Sequence, residues 1–140
     1  MNHATEPLIP GLGDGYRMDF TVSEHSARHM RRVLRSFLDL WELPELADAA
    51  ELALTELIAN VVLHVGGRHC AVLILRSPDG VRVEVSDQDP RPARLARTSD
   101  DADPLAEGGR GLLLVSAVTD RWGTDRRPGG KTVWFECDGK

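Results

Sequence analysis

Three polar residues recur at one-turn intervals in a stretch that is otherwise apolar. Glu56, Asn60 and His64 stand four residues apart, so at about 100° per residue they share one face of a helix. Ala49 and Ala53 fall on that face too, while the rest of the stretch carries leucine, isoleucine and valine. Polar groups bracketed by small ones leave room for a ligand to lie against the helix. Glu56 could orient or deprotonate a hydroxyl or a water. Asn60 could offer its amide oxygen to Mg²⁺, a hard cation that prefers oxygen. The same spacing also suits a solvated stripe, or side chains satisfied by the backbone. His64, near the helix end, could simply complement the dipole.

Three further features could carry chemistry. Gly108-Gly109-Arg110-Gly111-Leu112 stands immediately before an apolar run. Glycines let the backbone approach a ligand, and the amides that open a helix suit phosphate. No Gly-Lys-Ser/Thr follows, so this is not a P-loop. Asp87 ends a strand in which valine alternates with polar residues. Its carboxylate could accept a hydrogen bond from a base amino group, or merely cap the turn. Thr132 lies in the last strand, where a hydroxyl on a β-branched residue is commonplace.

The elements that must position these residues follow from periodicity. Residues 1–15 hold Pro7, Pro10, Gly11, Gly13 and Gly15 and read as a flexible leader, with one domain over 16–140. Arg17 to Val22 alternate as an edge strand would. Thr21 and Glu24 have the spacing of a capping box that opens a helix. In that helix Ala27, Met30, Leu34, Phe37, Leu38 and Trp41 give a core face, and Arg28, Arg31, Arg32 and Arg35 a basic stripe. Pro44 can start a second, largely buried helix over 45–65, stopped by Gly66-Gly67. Residues 70–75 and 81–87 form a hairpin around Ser77-Pro-Asp-Gly80. Residues 88–107 read as a long loop, 112–118 as a short helix, and 121–124 with 131–137 as a closing hairpin. This grouping of helices and strands predicts an α+β fold: a two-layer sandwich, its mixed, mostly antiparallel sheet covered by helices on one face.

Composition narrows the function. A chain of 140 residues, 41% hydrophobic, suits one domain with a real core. Its 17 cationic and 22 anionic side chains leave a net charge of −5, which argues against a nucleic-acid binder held by phosphate neutralisation. Cys70 and Cys137 are too few for a disulfide framework and lack metal-ligand spacing. No apolar stretch approaches the roughly 20 residues that span a bilayer, and no signal-peptide pattern opens the chain. A reduced, cytoplasmic setting is expected.

Taken together, the four features occur in an order that resembles the GHKL (HATPase_c, Bergerat-fold) ATP-binding domains. Glu56-Leu-Ile-Ala-Asn60 looks like the N box. Asp87 sits where the first glycine box begins, Gly109-x-Gly111-Leu112 resembles the second, and Thr132 matches the threonine of the final strand. Glu56-Leu-Ile-Ala-Asn-x-x-x-His64 and Gly109-Arg-Gly-Leu-x-Leu-Val-x-x-x-x-Asp-Arg-Trp-Gly123 are most similar to RsbW-type anti-sigma-factor kinases, including standalone actinobacterial regulators. The resemblance covers residues 17–137. It implies ATP and Mg²⁺ as cofactors, with Asn60 holding the metal and Glu56 as general base. Asp87 would take the adenine amino group with Thr132 nearby, and Gly109, Gly111, Leu112 and their neighbouring amides would cradle phosphates. Arg110 could neutralise phosphate charge, and residues 88–107 would form the ATP lid. One departure stands out: the family's Asp-x-Gly-x-Gly is here Asp87-Gln-Asp-Pro-Arg-Pro92, and prolines fix φ and remove donors.

Two functions are expected from this reading. The first is a serine/threonine protein kinase that doubles as an anti-sigma factor, with a sigma factor or a STAS-type anti-anti-sigma protein as partner and neither nucleic acid nor membrane. The resemblance also implies a homodimer through the first helices. The second is a protein-binding module, responsive to nucleotide but without phosphotransfer, with the arginine stripe as its docking surface. At 140 residues, neither a transducer nor a phosphoacceptor domain is expected.

Overall fold

A computed structural model describes residues 6–7, 15–65, 69–88 and 107–139, with the side chains of 6–7, 62–65, 107–111 and 127 outside the description. Five strands build the sheet: β2 (Gly15–Thr21), β3 (His69–Arg76), β4 (Gly80–Asp87), β5 (Arg121–Arg127) and β6 (Gly130–Asp138). A two-residue strand, β1 (Glu6–Pro7), lies within the expected leader and pairs with Tyr16 and Arg17. The sheet order is β1-β2-β3-β4-β6-β5, and every pairing is antiparallel. The parallel component expected of a mixed sheet is therefore absent among the described strands. A proline is tolerated at this edge because β1 has no further neighbour to donate to.

Period-two alternation puts Met18, Phe20, Val72, Ile74, Val83, Val85, Val133 and Phe135 on one sheet face, all buried. Three helices cover that face: α1 (Ser26–Leu40), α2 (Ala47–Val65) and α3 (Glu107–Val118). The central helix is α2, packed between α1 and α3 and resting on β4 and β6. Its Ala50, Leu54, Leu57, Ile58 and Val61 meet the sheet residues in one core with Met30, Leu34 and Leu38 of α1. The expected sandwich is thus present, with its helices on one side.

Local signals held unevenly. The Ser77–Gly80 turn closes as expected, with reciprocal backbone bonds of 2.9 and 3.3 Å and the Gly80 amide also donating to Ser77 Oγ at 3.0 Å. Thr21 and Glu24 do not form the capping box. Instead α1 starts at Ser26, whose Oγ accepts from the Ser23 amide at 2.9 Å, while the His25 amide donates to Ser23 Oγ at 3.2 Å. These two hydroxyls order the turn before the helix, and no side chain caps its opening amides. At its other end α1 closes through the Leu43 amide on Leu38 O (2.7 Å) and the Glu42 amide on Asp39 O (3.1 Å). This is the Schellman pattern with Glu42 at φ 60° in the position that glycine usually takes. Pro44 opens a 3₁₀ turn, Pro44–Leu46, before α2 begins at Ala47.

The uncovered sheet face carries a lattice of charges. Arg82 meets Glu84 and Glu136 at 2.8 Å each, and Arg121 meets Glu136 and Asp138 at 2.6 Å each. The Arg82 guanidinium also lies 4.2 Å from the centre of the Trp134 ring. Hydrogen bonding from Arg121 first, then from Arg82, holds the Glu136 carboxyl below its ordinary range despite partial burial. A lowered folded-state pKa contributes stability above the unfolded value, and that stability fades as pH falls through the folded one. We expect Glu136→Gln to be less stable than wild type at neutral pH and to close that gap below about pH 4, in urea titrations at several pH values. A gap that persists unchanged into acid would assign Glu136 a packing role only.

Candidate functional site

At one end of the helix-covered face the alternating valines give way to polar groups. Cys70, Asp87 and Lys131 are neighbours across β3, β4 and β6, in the same register row. Lys131 Nζ lies 3.2 Å from each oxygen of Asp87, and the two side chains are 9% and 3% exposed. Desolvation pushes the Cys70 thiol up to about 12, helped by the charges of Asp87 and Asp19. Cys137 is likewise raised to about 12, by burial first. Buried protonated thiols are inert. No cluster of metal-binding side chains occurs among the described residues. β6 begins hard against this row: a Cβ at Gly130 would overlap the Asp87 backbone carbonyl. Only glycine lets the two strands approach so closely at this point.

The flank of α2 is set by where its other residues point. Glu51 meets Arg35 at 2.6 Å and Thr55 accepts from Arg31 at 3.1 Å, so that side of α2 faces α1. Glu56 and Asn60 lie about 100–180° round the helix from Glu51 and Thr55, on the side away from α1. Since α2 packs against both α1 and α3, this is the α3 side. Both residues are half-buried, and Ala53 one turn back is fully buried. The structure thus sets a carboxylate and an amide on the flank of a core helix, beside a small residue.

The glycine run behaves differently from expectation. The sequence places the helix after Gly111, whereas α3 already begins at Glu107, so Gly108, Gly109, Arg110 and Gly111 form its first turn. The opening amides of a helix have no partner within it, which leaves this turn suited to an anion. Leu112 is buried and anchors α3 in the core rather than facing a ligand. The side chain of Arg110 and residue His64 fall outside the described side chains, and residues 89–106 of the expected lid lie outside the described residues.

Thr132 is not brought together with Asp87. It pairs with Ser86, one residue earlier, and shares a 2.7 Å hydroxyl hydrogen bond with it on the opposite sheet face. Side chains alternate along a strand, so Lys131 takes the place beside Asp87 that Thr132 was expected to fill. Sequence reasoning missed Lys131. The signal lay in register parity: Asp87 follows Val85 by two positions, and Lys131 precedes Val133 by two. The arginine stripe is also divided. Arg31 and Arg35 are engaged by α2, although Arg35 stays exposed, as do Arg28 and Arg32.

Comparison with known proteins places this geometry. A family model described as a histidine kinase-like ATPase domain matches residues 20–137. A Streptomyces coelicolor protein described only as uncharacterised is 37% identical over 90 residues, covering 62% of this chain and 83% of that one. Among solved structures, the RsbU and RsbW domains of Rv1364c from Mycobacterium tuberculosis superpose with a TM-score of 0.61 at 18% identity. That match covers 89% of this chain but 33% of the mycobacterial one, so the likeness is one of fold. No helix among the described residues is long and apolar enough to cross a membrane.

Proposed function

We propose that this chain, which belongs to the histidine kinase-like ATPase domain family, is an ATP-binding regulator with serine/threonine kinase activity towards an anti-anti-sigma partner. The observation that carries the reading is the pairing of a buried carboxylate, Asp87, on the helix-covered sheet face with a half-buried Glu56–Asn60 pair on the helix above. Asp87 accepts from the adenine amino group. The opening amides of α3, that of Gly109 included, receive phosphate oxygens, Gly111 keeps the backbone open to their approach, and Arg110 adds a further positive charge. Asn60 supplies a neutral oxygen of the type Mg²⁺ takes, and one protein ligand suffices because Mg²⁺ usually keeps waters and substrate phosphates. Bound Mg²⁺ would offset the negative charge of the phosphates.

Glu56 accepts the proton of a substrate serine or threonine hydroxyl. The oxygen then bonds to the γ-phosphorus, the bond to the β-phosphate oxygen breaks, and ADP leaves. The protein's part is placement and a proton acceptor. The site works in a cytoplasmic setting and needs no contact with nucleic acid.

A second reading has its own observation. Asp89 and Arg91 stand where the family has glycines, with Pro90 and Pro92 beside them, which favours a module that binds nucleotide and partner without transferring phosphate. Incubation with γ-labelled ATP, Mg²⁺ and STAS-type domains separates the two. Label on a serine or threonine of the partner is the expected result. Nucleotide binding with no label on any partner would favour the module.

A further inference from the structure

Three arginines of the sheet lie against carboxylates. Arg17 meets Asp19, Arg82 meets Glu84 and Glu136, and Arg121 meets Glu136 and Asp138. Arg126, near the end of β5, differs: it is exposed, and its guanidinium has no ion pair or hydrogen bond among the described residues. In the register of β5 and β6, Trp122 faces Phe135, Thr124 faces Val133 and Arg126 faces Lys131. Arg126 therefore stands on the helix-covered face, in the row of Cys70, Asp87 and Lys131, two strand spacings or roughly 10 Å from Asp87. Like charges opposite one another across two strands are destabilising, and the carboxylate of this row lies on the far side of Lys131 from Arg126. An anion over this end of β5 would relieve that repulsion.

The helix above supplies the other half of the argument. Only Thr119 and Asp120 separate α3 from β5, and the helix packs back on the strand. From Val118 to Glu107 α3 rises about 16 Å, and from Arg121 to Arg126 β5 rises about the same. Arg126 is thus level with the opening turn of α3. We infer that Arg126 is a phosphate-reading group of the nucleotide site, its guanidinium donating to phosphate oxygens of ATP that the opening amides of α3 also receive. The inference rests on the ATP site proposed above. With the base beside Asp87, a group about 10 Å further along the row meets what the base carries. A guanidinium presents a planar fork of donors that matches phosphate oxygens two at a time.

The test titrates the full chain with adenosine, AMP, ADP and ATP in the presence of Mg²⁺. Arg126→Gln is expected to weaken ATP about tenfold or more, as loss of a charged hydrogen bond requires, and to leave adenosine unchanged. The penalty enters along the series at the phosphate that Arg126 contacts, and Arg126→Lys, which keeps the charge without the fork, loses less. Arg17→Gln makes the same change in net charge on the opposite sheet face and should bind ATP as wild type does. Undiminished ATP binding by Arg126→Gln would overturn the role of Arg126 while leaving the ATP site standing. So would an equal penalty for all four ligands, or a loss that Arg17→Gln reproduces. If wild type does not bind ATP, the ATP site itself fails and takes this role with it.

Discussion

Glu56→Gln is expected to lower phosphoryl transfer by about 10²–10⁴-fold, the usual contribution of a positioned proton acceptor. Glutamine keeps the shape and hydrogen-bonding reach of glutamate on the α2 flank but cannot take the hydroxyl proton. Glu56 is half-buried and separate from the core residues Leu54, Leu57 and Ile58, so the fold is not at stake. The affinity for Mg·ATP should change by less than about threefold, because the carboxylate acts on the acceptor hydroxyl and not on nucleotide binding. Single-turnover transfer to the partner domain, set beside nucleotide binding by the same variant, reads the two separately. Parallel losses in both would show that Glu56 holds nucleotide instead of activating the acceptor.

The second large effect concerns stability. Removing Lys131 alone, as in Lys131→Met, leaves the 3%-exposed Asp87 carboxylate without its ammonium and is expected to cost about 3–5 kcal/mol. Asp87→Leu alone removes the carboxylate that the Lys131 ammonium faces, at a similar cost. The double variant Asp87→Leu with Lys131→Met should recover to within about 1 kcal/mol of wild type, because two apolar side chains suit a row that continues into Val85 and Val133. Urea unfolding of all four proteins closes the cycle. Additive losses in the double variant would mean that the two residues contribute independently. The double variant should also bind no ATP, which separates what the pair does for function from what it does for the fold.

Much of this was readable in residue order, for physical reasons that can be named. Alternating valines fixed the faces of β4, and helical periodicity fixed the buried side of α1. The Glu56–Asn60 face was legible because polar residues are anomalous on a helix so apolar. What escaped depends on information that composition does not carry. The choice between Thr132 and Lys131 turns on strand register, since a one-residue shift moves a side chain to the other face of the sheet. The Schellman close of α1 was hidden because Glu42 stands where glycine is usual. The arginine stripe was visible, but Glu51 and Thr55 on the neighbouring helix decide which of its members are engaged by α2. The start of α3 was misplaced because glycines are poor helix formers, yet these four sit in its first turn, where the interior penalty is smallest.

Isothermal titration of the full chain with ATP in the presence of Mg²⁺ bears most directly on the proposed site. Wild type is expected to give a saturable, one-to-one isotherm. Asp87→Leu paired with Lys131→Met should abolish it in a protein that still folds, and Asn60→Ala should weaken it by about tenfold or more only when Mg²⁺ is present. No heat and no thermal shift for wild type at millimolar nucleotide, or undiminished binding by the double variant, would contradict the assignment of this face as an ATP site.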